Sequence, residues 1–524
     1  MSGAQGNSLA SLGKFFAFLI LGALVLIGFW LKQIYDSEKS VFSTSDAKDI
    51  KGTILLGSDS WIGYFPMCSE EMRSRIRAAG YVLKCIDDNA NYAERIQKIA
   101  SGELQFAFAT VDSYLLAGAA NRYPGVVVSV IDQSHGGDAL VAWKDSIKSL
   151  DHLKQKGDVK IAFTPNSPSH HLLKGIALHF DIPLLRRQVD SWRIETNGSS
   201  EALQKFTDRT VDAAVLWEPD VSKALQQPGA IKLLSSKDTE KLIVDILLVN
   251  REVATKQPEL VLLLLNQYFR TLKYFRSNPD KLTEEIIRSL KIDTSAAQAM
   301  VQGVSWVSLA DNANHWFGIS LQGQPSREDL IKTIETTNRI LMDSGDFQNS
   351  PIPNEDPYRL QNKSFIEKLY LEGLRDEKSD QDNSRTLDRD FSALAEDQWK
   401  KLVEVGTLKV LPITFLSGIS TLDIEGKMQL DKAAENLSHY PNFRVIIKGH
   451  TGNRGDENAN LLLSQERAES VKRYLMVTYN IDSDRLYAHG VGAAVPLPRL
   501  AGESDRAFNY RLPRVELYLV SDDL

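Results

Sequence analysis

KGHTGNRGDENANLLLSQERAESV, residues 448–471, decides how the C-terminal part of the chain is read. The apolar alternation of FRVIIKG runs into it and stops at Gly449, which marks a strand end. Gly452, Asn453 and Gly455 make a loop. ANLLLSQERAESVKRYLMVTY then carries the period of a long amphipathic helix. Working outward, LKVLPITF, RLYAHGVG and RVELYLV read as further strands, and KMQLDKAAENLSHY as a second helix. The expected unit, residues 405–524, is a small α+β sandwich of one sheet and two main helices.

Several motifs in this unit occur in a fixed order: ITFLSGISTLD, then VIIKGHTGNRG, then the helix positions Asn460, Leu463, Ser464, Arg467 and Ala468. DRLYAHGVGAAVP and Arg514, Val515 and Glu516 follow. In that order they resemble the OmpA-like peptidoglycan-binding family, also found in flagellar stator B subunits. The resemblance implies wall contacts at Thr451, Asn460, Arg467 and Arg514. The family's target is a diamino-acid stem peptide, with a carboxylate and an ammonium on one small group. A planar guanidinium at Arg467 suits the carboxylate. The family carries an aspartate for the ammonium where this chain has Gly452, and the first of two arginines where it has Pro513. Peptidoglycan binding is therefore expected to be weakened or altered. Asp456 is the nearest other carboxylate along the loop.

From Gly52 the chain alternates short apolar runs with helical periods, an α/β rhythm that predicts parallel sheets. TILLGSDSW, YVLKCI, LQFAFAT, GVVVSVI, ALVAWK, VKIAFT, VDAAVLW, AIKLLSS and LIVDILLVN read as strands, and the block after Pro258 as helical. Ligands of open α/β sheets sit beyond the carboxyl ends of the strands. Four stretches place a polar loop and a helix start there: SDSWIGYFP (58–66), LQFAFATVDSYLLA, SHGGDALVAWK with TPNSPSHHLL, and TVDAAVLWEPD. In TPNSPSHHLL, Ser167 and Ser169 stand where a helix begins. Its free N–H groups form an anion site, or else the serines are simple caps.

Together these stretches resemble the periplasmic solute-binding family of nitrate, taurine and sulfonate ABC importers. The implied fold is a two-lobed clamshell over residues 52–345, with lobe two at about 139–235. The implied ligand contacts are Ser58, Trp61, Tyr64, Asp112, Ser113, Gly136, Gly137, Ser167, Ser169, His170, Trp217 and Glu218. The helix start favours an anion, whereas Glu218 and Asp112 suit a cationic or zwitterionic group.

The ends and joins differ from these units. FFAFLILGALVLIGFWL, Phe15–Leu31, is uncharged between Lys14 and Lys32 and is about long enough to cross a bilayer. Neither a small-x-small site nor a cysteine follows it, so an uncleaved anchor over residues 1–34 is expected. That places the chain in the inner membrane in a single pass, with its N-terminus cytoplasmic and its bulk periplasmic. The span holds no Asp, Glu or Arg, which argues against an ion pathway. Residues 35–51 read as a spacer. Residues 346–404 read as a mostly flexible linker of prolines and charge runs, with one short helix at Ser364–Leu374.

The 524 residues carry a net charge of -7, so no nucleic-acid footprint is expected. Only Cys68 and Cys85 are present, which excludes zinc-finger clusters and leaves open one disulfide or two core thiols. Two cysteines cannot build the iron site of the thiamine-pyrimidine synthases that share the clamshell. The expectation is a non-enzymatic envelope protein without cofactor or metal. It binds a small solute, anionic or zwitterionic, contacts peptidoglycan, and serves uptake or sensing. An ABC permease or another envelope protein is the expected partner. The alternative is an assembly scaffold whose clamshell binds nothing.

Overall fold

The computed structural model describes residues 50–187, 190–319, 326–376, 391–416 and 419–521. The expected anchor at 15–31 lies outside them, as does the spacer up to residue 49. Among the described residues no helix is long and apolar enough to cross a membrane. Contacts divide the chain into a small unit, Met1–Ile54 with Arg73–Leu83, and a large one, Leu55–Met72 with Lys84–Leu524. In the small unit, Lys51 N donates to Gly80 O at 2.7 Å. The Lys51 ammonium lies 5.9 Å from the centre of the Tyr81 ring.

In chain order the strands before residue 310 begin with β1 (Gly52–Ser58), β2 (Tyr81–Asp87), β3 (Phe106–Thr110), β4 (Gly125–Ser134), β5 (Asp138–Trp143) and β6 (Ile161–Phe163). β7 (Arg193–Glu195), β8 (Ala213–Trp217), β9 (Ala230–Ser235), β10 (Val244–Asn250) and β11 (Val304–Trp306) follow. They form two sheets, β11-β4-β10-β3-β1-β2 and β7-β6-β8-β5-β9. The helices that carry the argument here are α1 (Tyr92–Ser101), α2 (Val111–Ala120), α3 (Pro168–His179) and α4 (Asp329–Asp343).

The sheets are mixed rather than parallel. β1 runs parallel to β3, but β10 is antiparallel to both β3 and β4. In the second sheet β5 is antiparallel to β8 and β9, while β6 is parallel to β7 and β8. The chain passes between sheets twice, from β4 to β5 and from β9 to β10, and each passage reverses a strand. β4 and β10 are buried along almost their whole length, as apolar runs require.

The passages are tied at one side chain. Ser236 Oγ lies 2.7 Å from Ser134 Oγ and accepts from Gly136 N at 2.9 Å and Asp138 N at 3.1 Å. Cys68 and Cys85 form a disulfide, which resolves the choice the sequence leaves open.

Residues 346–376, expected within the linker, hold defined structure. Asn362 N donates to Val127 O at 2.8 Å, and Arg251 Nη2 donates to Arg359 O at 2.8 Å. A helix follows at Ser364–Asp376, with Phe365 and Ile366 buried. Apolar residues set among the charges, Ile352, Leu360, Phe365 and Ile366, account for this packing.

The C-terminal sheet has the order β12-β15-β13-β14, from β12 (Val403–Leu408), β13 (Arg444–His450), β14 (Leu486–Gly490) and β15 (Arg514–Ser521). Its first strand lies at 403–408 instead of along LKVLPITF, because Pro412 cannot donate to a ladder. Two helices cover the sheet, α5 (Ile424–Ser438) and α6 (Glu457–Tyr479). α6 lies close against the strands. A Cβ on Gly449 would meet Ser464 O at 2.1 Å, and one on Gly490 would meet Gln465 N at 2.4 Å.

This sheet shares a hydrophobic core with the second sheet. Leu150, Phe180, Val405, Leu437, Tyr440 and Leu517 belong to one buried cluster. Polar contacts frame the seam. Thr407 Oγ1 donates to Asp151 at 2.8 Å, and Asn442 Nδ2 donates to Lys237 O at 2.6 Å. Glu240 N donates to His439 O at 2.8 Å, and His179 Nδ1 lies 2.7 Å from the Tyr440 hydroxyl.

Candidate functional site

The two sheets of the clamshell face each other across a narrow gap. From the first come Asp59, Trp61, Tyr92 and Asp245, and from the second Asp138, Ser167, Pro168 and Trp217. The space left between them is about 20 Å³, room for a single water.

Trp61 fills much of it. Its Nε1 donates to Asp132 Oδ1 at 3.1 Å, and its ring is slotted between two glycines. A Cβ at Gly63 would stand 2.4 Å from Trp61 Nε1, and one at Gly137 would stand 2.4 Å from the ring. Tyr64 stacks on Phe108 at 4.0 Å, and its hydroxyl donates to Asp245 Oδ1 at 2.5 Å. Trp217 and Asp138 are paired across β8 and β5, so the register sets them side by side.

The gap is acidic. Asp132, Asp138 and Asp245 are all buried. Burial pushes the Asp132 carboxyl up to about 8 and the Asp138 carboxyl up to about 7. Burial, with the charge of Asp132 next, holds Asp245 well above the usual carboxylate range. Asp132 Oδ2 has no hydrogen-bond partner. Arg95 is the cation close by, fully buried and already engaged. It meets Asp88 at 2.5 and 2.7 Å, Asp59 at 2.9 Å, Ser58 O at 2.7 Å and Phe108 O at 2.9 Å.

The structure brings only some expected contacts to the gap. Trp61, Ser167 and Trp217 line it. Ser58 is buried at the end of β1, and its carbonyl serves Arg95. Asp112 and Ser113 begin α2, and Ser113 Oγ receives the Thr110 hydroxyl at 2.7 Å. Gly136 and Gly137 belong to the passage between sheets. Ser167 donates to Thr164 O at 2.6 Å instead of capping α3. Ser169 is buried with its hydroxyl unpartnered. The His170 ring packs on Phe163 at 4.8 Å, and burial takes it down to about 2. Glu218 accepts from Ser222 N at 3.1 Å and Ser222 Oγ at 2.8 Å in the first turn of the next helix.

Sequence reasoning missed Asp59, Tyr92, Arg95, Asp132, Asp138 and Asp245. Signals existed. GVVVSVIDQS and LIVDILLVN each set a carboxylate inside an apolar run, and Tyr92, Arg95, Ile96 and Ile99 share one face of α1.

In the C-terminal domain, Arg467 rises from α6, with its guanidinium 5.0 Å from the centre of the Phe415 ring. Its Nε reaches Ile419 O at 3.5 Å, and no carboxylate pairs with it among the described residues. Thr451 is buried with its hydroxyl unpartnered. Asn460 Nδ2 donates to Arg454 O at 3.0 Å and shapes the loop. Arg514 is held by Glu516 at 2.7 Å and also donates to Val495 O at 3.1 Å. His450 Nε2 donates to Glu516 Oε2 at 3.1 Å. Burial raises the Glu516 carboxyl, but bonds from His450, Tyr518 and Arg514 outweigh it and bring it down to about 2. Asp456 is occupied as the N-cap of α6, accepting from Ala459 N at 2.9 Å. No carboxylate takes the place of the one missing at Gly452 by this route.

Residues 414–510 match the OmpA family. The chain is 37% identical over 102 residues to outer membrane protein Omp38 of Acinetobacter baumannii, 20% of this chain and 29% of that protein. It is 34% identical over 100 residues to probable lipoprotein YiaD of Escherichia coli, 19% of this chain and 45% of that one. It is 36% identical over 83 residues to peptidoglycan-binding protein ArfA of Mycobacterium tuberculosis, 16% of this chain and 25% of that one. The chain spans less than half the length of these relatives. In structure it is similar to the periplasmic aliphatic sulphonate binding protein SsuA from Escherichia coli, with a TM-score of 0.46 and 15% identity, over 59% of this chain and 98% of that one. It is also similar to the desulfurization enzyme DSZB, with a TM-score of 0.42 and 13% identity, over 62% of this chain and 100% of that one. The C-terminal unit thus holds the segment that matches the OmpA family, residues 414–510.

Proposed function

We propose that the chain is a non-enzymatic envelope protein that associates with peptidoglycan through its C-terminal domain and holds a small solute in its cleft. The observation that carries the reading is Arg467. It is a half-buried guanidinium resting on Phe415, without a carboxylate partner among the described residues. A fork held by an aromatic face with its charge uncompensated is suited to a ligand carboxylate. The OmpA match covers this residue, and ArfA is named as peptidoglycan-binding. Thr451, with its unpartnered hydroxyl, sits at the start of the same loop as Gly452. The seam with the second sheet links the wall-facing domain to one side of the cleft, so attachment and solute capture share one body. Anchoring by residues 15–31 in the inner membrane and delivery to a permease complete the reading for uptake. Sensing uses the same parts.

The test is co-sedimentation of the full-length chain with purified sacculi. Arg467→Ala is expected to weaken retention by about tenfold, with unchanged circular dichroism. Equal retention of the two proteins would remove the wall-binding half.

The small size of the gap favours a second reading, an assembly scaffold with a closed cleft. Ligand-binding data separate the two.

A further inference from the structure

We propose that the cleft takes an organic ammonium cation, held by the rings of Trp61 and Trp217 and by the carboxylates of Asp59, Asp138 and Asp245, while the Tyr92 ring already carries the Arg95 guanidinium at 4.7 Å. This rests on the solute-binding reading above and names the ligand class for that site.

Four observations lead to it. First, three aspartates line the gap and no lysine or arginine does. Arg95, the cation behind them, is committed to Asp59, Asp88 and two carbonyls. Asp59 is balanced by Arg95, and an anion would stand against Asp138 and Asp245 wherever these are ionised, in surroundings that screen the repulsion poorly. Second, the remaining walls are aromatic. Indole and phenol faces attract cations, and most strongly when water is excluded. A strongly hydrated inorganic ion gains little there, whereas an alkylated ammonium uses both the ring faces and the carboxylates.

Third, Asp132 is completely buried directly behind Trp61, and its Oδ2 has no partner. Burying a carboxylate beside other carboxylates is costly unless it holds a proton or faces a cation. Burial makes Asp132, Asp138 and Asp245 keep protons to unusually high pH, and a cation in the gap gives the charged forms a partner. Among the described residues no three His, Cys, Asp or Glu side chains are placed to share a metal ion, so this arrangement is not a metal cage.

Fourth, the anion site expected at the start of α3 keeps only part of its donors, with the Ser169 hydroxyl unpartnered. Pro168 at its first turn supplies no N–H, and the Ser167 hydroxyl is spent on Thr164 O. The gap as it stands is too small for such a ligand. Entry requires the two sheets to part, and the two passages tied at Ser236 would have to allow it.

The test is titration calorimetry on the full-length chain in detergent at about pH 8. One arm uses tetramethylammonium, choline and putrescine, and the other ethanesulfonate, sulfate and nitrate. Saturable binding in the cation arm is expected. Asp245→Asn should weaken it about tenfold. Trp217→Ala should do likewise, and it carries the test if the buried Asp245 variant fails to fold. Binding in the anion arm alone overturns the ammonium assignment and leaves the solute-binding reading intact. Silence in both arms overturns both. Cation binding unchanged by either substitution overturns the placement in this gap.

Discussion

Arg339 on α4 grips Glu435 on α5 with both terminal nitrogens, each at 2.7 Å from a carboxylate oxygen. This bidentate pair bridges the clamshell and the C-terminal domain, at the edge of their shared apolar core. Both side chains are about half exposed, so the pair contributes modestly, about 0.5–1 kcal/mol. A double-mutant cycle of Arg339→Ala and Glu435→Ala on the thermal midpoint is expected to return a coupling of that size. A coupling near zero would mean that the apolar cluster alone holds the seam.

The seam should be acid-sensitive. His179 and His439 stack at 5.4 Å between ring centres, and both are buried. Burial first, then the charge of the other ring, holds His179 well below its ordinary value, and burial likewise lowers His439. The charged groups facing them are Arg339, Glu435, Glu240 and Lys241. A histidine kept neutral in the fold binds fewer protons than in the unfolded chain. Its contribution is therefore intact above about pH 6.5 and is lost as pH falls below that, by up to about 1.4 kcal/mol per pH unit for each ring. Thermal unfolding between about pH 7.5 and 5.5 should show a fall in midpoint that His439→Asn flattens.

Cation binding in the cleft should run with the same sign for a different reason. Asp132, Asp138 and Asp245 have raised folded values, so a cation must displace their protons. The groups facing them are Asp59, Asp112, Glu218, Tyr64 and Trp61, with Arg95 beside Asp59. Choline affinity is expected to fall as pH is lowered from about 8 to 6, and to approach tenfold weaker per unit where one proton is displaced. A flat profile measured by calorimetry would count against these carboxylates as the ligand's partners.

Gly137→Ala should disturb the closed cleft. The added Cβ would stand 2.4 Å from the Trp61 ring and 3.0 Å from Gly303 O. Overpacking of this kind costs about 1–3 kcal/mol. A lower thermal midpoint with raised Trp61 fluorescence exposure is the expected result.

Gly452→Asp should fit without strain. A Cβ at Gly452 meets only Pro513 Cγ, at 4.0 Å. The substitution restores the carboxylate that the resemblance calls for. Retention on sacculi is expected to rise about tenfold, with stability changed by less than about 0.5 kcal/mol. Unchanged retention would show that the stem-peptide ammonium is met elsewhere or not at all.

Much of the architecture was legible in local pattern. Nine of the eleven strands in the two sheets lie on apolar runs, whereas β7 and β11, the latter inside the block read as helical, do not; α6 follows from its period and the loop before it. Trp61, Ser167 and Trp217, each at or a few residues beyond the carboxyl end of a strand, line the gap. Glu218 and His170 both take partners within the fold, because a polar side chain after a strand can serve the fold as readily as a ligand. Glu218 accepts from Ser222 and His170 packs on Phe163.

By itself the sequence determined the elements, the α/β rhythm, the OmpA motif set and the absence of an aspartate at Gly452. These are encoded in short windows, where side-chain period and turn chemistry act on neighbouring backbone. Only the tertiary structure decided that Asp59, Asp138 and Asp245 converge with Trp61, Tyr92 and Trp217, that Arg95 is already neutralised, and that Arg467 has no carboxylate partner among the described residues. Those facts depend on strand order and on two passages between sheets, which bring together residues far apart along the chain. No local pattern carries charge balance across such distances, because it arises only when burial removes the water that kept each group independent.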